Sequence, residues 1–283
     1  MSRPARAWAA WVALWDRREP PTALALVRIG LAVVLLVDYL NVARVGLVGV
    51  IWSPPPDGLA IGQPWFGGGV AWTIAVVALA LIACGAATRA ACIAFVVASA
   101  QLATLTPNSE SGLDGLARIT FLILALSQCN ARWSIDALVA RRLGRTVSVE
   151  IPAWPRYLLL AQLVWVYFSG GTNKSGDEWG PQGGFTALAN ALSDPHAARF
   201  APAWVATIYP LTRVATALTM VFELGAPLYL VCYAKRWRTL RWIWIGLGVA
   251  FELGIAIGLR LGSFPFGMLA LYPVLLLPEE LPR

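Results

Sequence analysis

The stretch ALALVRIGLAVVLLVDYL, Ala23 to Leu40, decides the fold. Wound as an α-helix it rises about 27 Å, near the roughly 30 Å hydrocarbon thickness of a bilayer. Only Arg28 and Asp38 interrupt its apolar character. Further apolar runs follow over approximately 70–87, 90–105, 115–129, 157–170, 211–233, 241–261 and 264–277. The expectation is an all-α, polytopic membrane helix bundle of about eight transmembrane helices. Upstream, Trp8, Trp11 and Trp15 recur at helical spacing among Arg3, Arg6, Arg17 and Arg18, the pattern of a short amphipathic helix lying in the headgroup layer. Residues 1–22 read as a cytoplasmic interfacial segment and 23–283 as one membrane domain. A signal peptide is not expected, because its apolar core and small-residue cleavage site are missing.

Of the 283 residues, 58% are hydrophobic and 13% charged, well below the roughly one-quarter charged share of soluble domains. Lipid is the main solvent of such a chain. The net charge of +7 sits largely in loops, which points to an anionic membrane surface; nucleic acid is not an expected partner, because the segregated charges make no continuous basic face. With the N-terminus inside, about 15 of the 22 Lys and Arg residues fall on the cytoplasmic side, where positive charge accumulates. They are the four N-terminal arginines, Arg89, the set from Arg132 to Arg156, the set from Lys235 to Arg241, and Arg283. Arg44, Lys174, Arg199, Arg213 and Arg260 fall opposite. The chain is therefore expected to be a multi-pass protein of the cell inner (plasma) membrane with both termini cytoplasmic.

Cys84, Cys92, Cys129 and Cys232 lie in or beside apolar runs without a CxxC pair, so they read as core residues, and no metal is expected. His196 is the one histidine, which excludes a multi-histidine metal site or a haem held by two histidines. The run Gly67-Gly68-Gly69 lacks the Gly-Lys-Ser/Thr of a phosphate cradle. Gly254, Gly258 and Gly262 recur every fourth residue, as on a close helix-contact face. No internal repeat supports a transporter.

Charges within membrane spans are costly and have a partner or a task. Arg28, Asp38, Arg118, Glu223 and Glu252 are therefore the residues to watch. Glu223 and Glu252 fall near the middle of consecutive antiparallel spans and could share a site; the alternative is two structural anchors, protonated or bonded to Arg28 or to hydroxyls. Asp38 and Arg118 are placed to form an ion pair. Arg28 lies close enough to the cytoplasmic boundary to snorkel to lipid phosphate. Two long outer loops, 41–69 and 171–210, have the length of functional loops.

The segment Tyr167-Phe168-Ser169-Gly170-Gly171-Thr172-Asn173-Lys174-Ser175-Gly176-Asp177-Glu178-Trp179-Gly180 is the one stretch arranged for chemistry. It leaves a span, bends at two glycines and presents one lysine before an aromatic anchor. Desolvation disfavours the ammonium form, so a partly buried Lys174 can act as a base. The plain alternative is interfacial, with Lys174 reaching lipid headgroups and Trp179 marking the boundary.

These residues resemble the membrane domain of vitamin K-dependent gamma-glutamyl carboxylase and its bacterial relatives, the horizontally transferred transmembrane domain (HTTM) proteins. The likeness covers nearly the whole chain from Pro21. Leu26-Val27-Arg28 with Asp38 looks like the family's opening helix, and Asn130 to Leu138 resembles its Trp-Ser-Val-Asp-Gly-Leu stretch. Phe168 to Trp179 resembles its aromatic-x-x-Gly-x-x-Lys segment, with tryptophan five residues after the lysine. Glu223, Phe251-Glu252-Leu253 and Phe264-Pro265-Phe266-Gly267-Met268 look like its last helices. The resemblance implies that Lys174 is the base that deprotonates vitamin K hydroquinone or another quinol, that Trp179 packs on the head group, and that Glu223, Glu252, Arg118 and Asp38 serve the ligand site. Lipid and a lipid-soluble quinone are the implied partners. If enzymatic, the chemistry is of the carboxylase/epoxidase type. Glu252 and Asn108-Ser109-Glu110-Ser111 stand where many relatives carry histidine. The carboxylase's large lumenal region has no counterpart here, so carboxylation of protein glutamates by this polypeptide alone is not expected. The rival reading is a non-enzymatic membrane factor for maturation, export or immunity of a small secreted peptide, with that peptide or a separate soluble subunit as partner.

Overall fold

The computed structural model describes residues 3–53, 65–106, 110–232 and 237–282. Asn108, Ser109, Lys235, Arg236 and Arg283, and the side chains of Arg3 and Cys232, all invoked above, lie outside the described residues. The described chain is nearly all α-helix and divides into two compact units, Met1–Leu159 with Ala270–Arg283, and Leu160–Leu269. Among the described residues, four helices are long and apolar enough to cross a membrane: Thr22–Arg44, Thr88–Leu105, Ala203–Leu224 and Arg238–Gly258. Gly68–Cys84 and Phe264–Leu275 are apolar but shorter.

The first unit contains α1 (Arg3–Trp15), β1 (Arg18–Glu19), α2 (Thr22–Arg44), α3 (Val48–Ile51), α4 (Gly68–Cys84), α5 (Thr88–Leu105), α6 (Gly112–Leu126), α7 (Ile135–Arg142) and β2 (Ile151–Pro152). The start of α8 (Trp154–Asn173) and the 3-10 turn Tyr272–Leu275 also belong to it. Helices α2, α4, α5 and α6 pack in sequence, α2 also against the 3-10 turn. Their buried faces mix small residues with large ones such as Leu31, Leu79, Phe95 and Phe121, and large apolar side chains also cover the outside. Ala71, Ala75 and Ala78 of α4 are buried while Val70, Val77 and Leu81 are exposed. With both faces apolar, close approach of small residues selects the contact face.

Three charged residues of this unit behave differently from their sequence reading. Arg28 does not snorkel: it is fully buried and donates to the carbonyls of Ile82 (2.6 Å), Ala83 (3.2 Å), Trp133 (2.6 Å) and Arg132 (3.4 Å). Those of Ile82 and Ala83 belong to the last turn of α4, where carbonyls lack helical partners. Arg118 turns to Glu110 in place of the expected partner Asp38, and its other nitrogen donates to Ser99 Oγ at 3.3 Å. Arg156, counted as a loop charge, is buried and holds Glu19 in a bidentate pair at 2.6 Å, beside the two-residue antiparallel ladder Arg18↔Pro152 and Glu19↔Ile151.

The stretch Asn130 to Leu138 folds as a clasp. Ser134 caps α7, accepting from Ala137 N–H at 2.9 Å. Asp136 accepts from the backbone N–H groups of Ala87 (2.8 Å) and Thr88 (3.0 Å), the Thr88 hydroxyl (2.8 Å) and the Asn130 amide (2.9 Å). It thereby serves the orphan donors at the start of α5.

The second unit holds the rest of α8, a 3-10 turn at Asp177–Trp179, α9 (Ala187–Ser193), α10 (Ala203–Leu224), α11 (Leu228–Cys232), α12 (Arg238–Gly258) and most of α13 (Phe264–Leu271). The run expected over 211–233 is two helices, because Gly225-Ala226-Pro227 separates α10 from α11. Helix α10 begins eight residues before that run and carries Pro210 inside it, where the missing N–H costs one backbone bond without ending the helix. The long loop before α10 is also structured. Arg213 Nε donates to the Gly184 carbonyl at 2.7 Å, Leu188 N–H to Thr216 Oγ1 at 3.2 Å, and Arg260 N–H to the Ala197 carbonyl at 2.8 Å.

Candidate functional site

Helix α8 presents Tyr167, Gly170 and Gly171, and Lys174 follows just past its end, at spacings of three, one and three residues that keep them on one side. The expected bend at Gly170-Gly171 is absent: the helix runs through to Asn173. The glycines instead let α10 approach. A Cβ on Gly171 would lie 3.0 Å from Glu223 Cβ and 3.1 Å from the Leu224 backbone nitrogen, whereas one on Gly170 would meet only side-chain ends, the Glu223 carboxylate at 3.4 Å and Lys174 Nζ at 3.7 Å. Close approach brings Glu223, buried at 4% exposure, onto Lys174. Lys174 Nζ is ion-paired and hydrogen-bonded to Glu223 Oε2, and it lies 5.0 Å above the centre of the Trp179 ring.

The pair borders a cavity of about 330 Å³ whose wall also includes Tyr167, Trp179, Thr216, Phe251 and Glu252 among mostly apolar side chains. Glu252 is fully buried. Its Oε1 accepts from the Tyr167 hydroxyl at 2.5 Å, and its Oε2 has no hydrogen-bond partner among the described residues. Tyr167 is fixed by aromatic contacts, its ring centre 4.8 Å from that of Phe222 and 6.2 Å from that of Phe251. Buried carboxylate oxygens are normally bonded, so an unbonded one on a residue of the cavity lining is an unfilled acceptor, or a donor when protonated.

The structure thus brings together Lys174, Trp179, Glu223 and Glu252. Asp38 and Arg118, the other expected ligand residues, belong to the first unit. Glu252 is bonded to one hydroxyl, that of Tyr167, and lines the same cavity as Glu223, while Lys174 has a carboxylate partner in place of the simple desolvation foreseen. Tyr167 was missed as a site residue. Its signal was the seven-residue spacing to Lys174, together with the need of a phenol in an apolar span for a partner. No metal is indicated by clustering, since the described residues contain no group of three His, Cys, Asp or Glu side chains placed to hold one.

Apolar spans enclosing a lysine–carboxylate pair and a second buried carboxylate define an integral membrane protein with a polar-edged internal cavity. The model of the HTTM domain matches residues 16–279, nearly the whole chain, and the protein belongs to that family, whose membrane domain is related to vitamin K-dependent carboxylase. No curated protein and no solved structure matches the chain significantly.

Proposed function

We propose that this protein binds a quinone or hydroquinone in the cavity of the second unit and that Lys174 is the base that takes a proton from it. The observation that carries the reading is the pairing of Lys174 with Glu223 at one wall of an apolar cavity and the unpartnered Glu252 Oε2 in the same lining. Largely apolar walls with a few convergent polar groups suit such a ring. Trp179 offers a flat face beside Lys174. A bound hydroquinone supplies an oxidisable ring with hydroxyl protons. Lys174 Nζ accepts such a proton after passing its own to Glu223 Oε2, so the ion pair works as a two-station relay. Glu252, held by Tyr167, hydrogen-bonds a second polar group.

In this reading the chain is a multi-pass protein of a bacterial inner membrane with about eight crossings and cytoplasmic ends. Helix α1 lies in the headgroup layer, with the exposed Trp8 and Trp11 directed into it, and Lys174 is at the extracytoplasmic face. The test is mass spectrometry of lipids copurified with the protein, joined to quinol turnover by Lys174→Ala and Glu223→Gln. The expected result is a bound quinone in the wild type and a rate loss of about 100-fold or more in Lys174→Ala. A purified protein that neither carries nor binds any quinone refutes the reading, as does full activity in Lys174→Ala.

A further inference from the structure

The second unit contains another hollow, a groove of about 270 Å³ formed by α9, α10 and α12, with Thr219 its one polar side chain among Leu, Ala, Phe, Ile and Gly. It shares Leu188, Thr219, Phe251, Ile255 and Leu259 with the polar-edged cavity, so the two spaces adjoin along these side chains. Gly254 and Leu218, on α12 and α10, are both exposed at the groove.

Gly254 was expected, with Gly258 and Gly262, on a helix-contact face. The structure corrects this. A Cβ on Gly254 or on Gly262 would meet nothing within 4 Å, and Gly262 is a turn residue at φ +61°. Only Gly258 makes a close approach, to Leu192 at 3.3 Å. The absent side chain at 254 therefore leaves open space rather than a contact. That space is lined by apolar side chains apart from Thr219. It suits one hydrocarbon chain, and the neighbouring cavity with its unpartnered Glu252 oxygen suits a polar head.

We propose that the groove between α10 and α12 holds the tail of the same amphiphile whose head occupies the Lys174–Glu252 cavity, and that Gly254 sets the width of tail admitted. The assignment of the head as a quinone rests on the reading above; the tail site does not. Because lipid already solvates a hydrocarbon tail, the groove contributes through packing and is sensitive to being filled.

The experiment measures binding of two probes to the full-length protein in detergent: a naphthoquinone bearing an isoprenoid tail, and the same ring with a methyl group in the tail's place. Gly254→Phe on α12 and, from the opposite wall, Ala215→Phe on α10 are compared with wild type, with helicity and monodispersity checked for each. Each folded variant is expected to weaken the tailed probe by about tenfold or more while leaving the short probe within about twofold. Unchanged preference for the tailed probe in both folded variants overturns the proposal, and so does equal loss of both probes. If wild type binds neither quinone, the quinone reading falls and the tail site is read from copurified lipids. A tailed lipid present in wild type and depleted in the Phe variants then supports it; identical lipid content in all three overturns it.

Discussion

Arg28 and Lys174 are kept inside this protein by different chemistry. Arg28 meets backbone carbonyls at two places, the end of α4 and the turn at Arg132-Trp133, and a planar fork of donors is what reaches both. Arg28→Met is expected to leave those carbonyls without their donor and to destabilise the protein by about 3 kcal/mol, read as a lower midpoint of thermal unfolding. Arg28→Lys, with a single ammonium, restores only part of the loss. Asp136 carries a pH signature. Burial pushes its carboxyl up, but this is outweighed by hydrogen bonds from the Thr88 backbone, the Asn130 amide, the Thr88 hydroxyl and the Ala87 backbone, which hold it below its ordinary value. Because the folded value is the lower one, its stabilisation is complete above the unfolded value of about 3.9 and fades as pH falls through the folded value. Thermal unfolding followed from about pH 6 to pH 3 should show the gap between wild type and Asp136→Asn narrowing toward acid. A constant gap would mean that the carboxylate's charge contributes nothing.

Gly170 and Gly171 are adjacent in α8, yet the elements around them make opposite demands. At Gly171 the neighbours are the Cβ of Glu223 and the backbone of α10, which cannot yield without moving the helix; at Gly170 the nearest atom is the mobile end of the Glu223 side chain. Gly171→Val is therefore expected to separate α8 from α10, breaking the Lys174–Glu223 pair and costing roughly 1–3 kcal/mol, whereas Gly170→Ala should be tolerated. The comparison is read by unfolding midpoint and by retention of bound lipid, and equal tolerance at both positions would contradict the packing described. This distinction was not legible in the sequence, where two glycines before a lysine read as a bend. Most helix positions were legible, because runs of apolar residues with small and β-branched members mark α2, α4, α5 and α12 directly. What escaped were features set by single residues. Pro210 looked like a loop end and sits inside α10; Gly225-Ala226-Pro227 looked like part of a span and breaks it. Lys174 and Trp179 could be singled out together because they stand five residues apart in one segment. The partners Glu223 and Tyr167 could not be assigned, since 49 and 85 residues separate Lys174 from Glu223 and Tyr167 from Glu252, and only tertiary packing joins them.

For the molecule as a whole, the proposed orientation in the membrane can be tested within the first unit alone. Helix α2 is 23 residues long and rises about 34 Å, so its two ends lie on opposite faces if it spans. Helix α4 runs antiparallel to it: Trp72, near the start of α4, donates to the Tyr39 carbonyl near the end of α2 at 3.3 Å, while Arg28, near the start of α2, reaches the carbonyls of Ile82 and Ala83 at the end of α4. Arg44 and Cys84, each the last residue of its helix, must then face opposite compartments. Cys84 is exposed, whereas Cys92 and Cys129 are buried, which leaves Cys84 as a natural reporter once Cys232 is replaced by serine. The charge asymmetry assigns Cys84 to the cytoplasm, beside Arg89 and Arg132, and Arg44 to the far side. Arg44→Cys removes a positive charge from the far side, so it cannot weaken the orientation it reports. In that background a membrane-impermeant maleimide applied to intact spheroplasts is expected to modify position 44 at once and Cys84 only after permeabilisation. The reverse order would invert the topology and place Lys174 away from the extracytoplasmic face. Labelling of both positions without permeabilisation would mean that α2 does not separate two compartments, and the eight-crossing arrangement built outward from Ala23–Leu40 would fall with it.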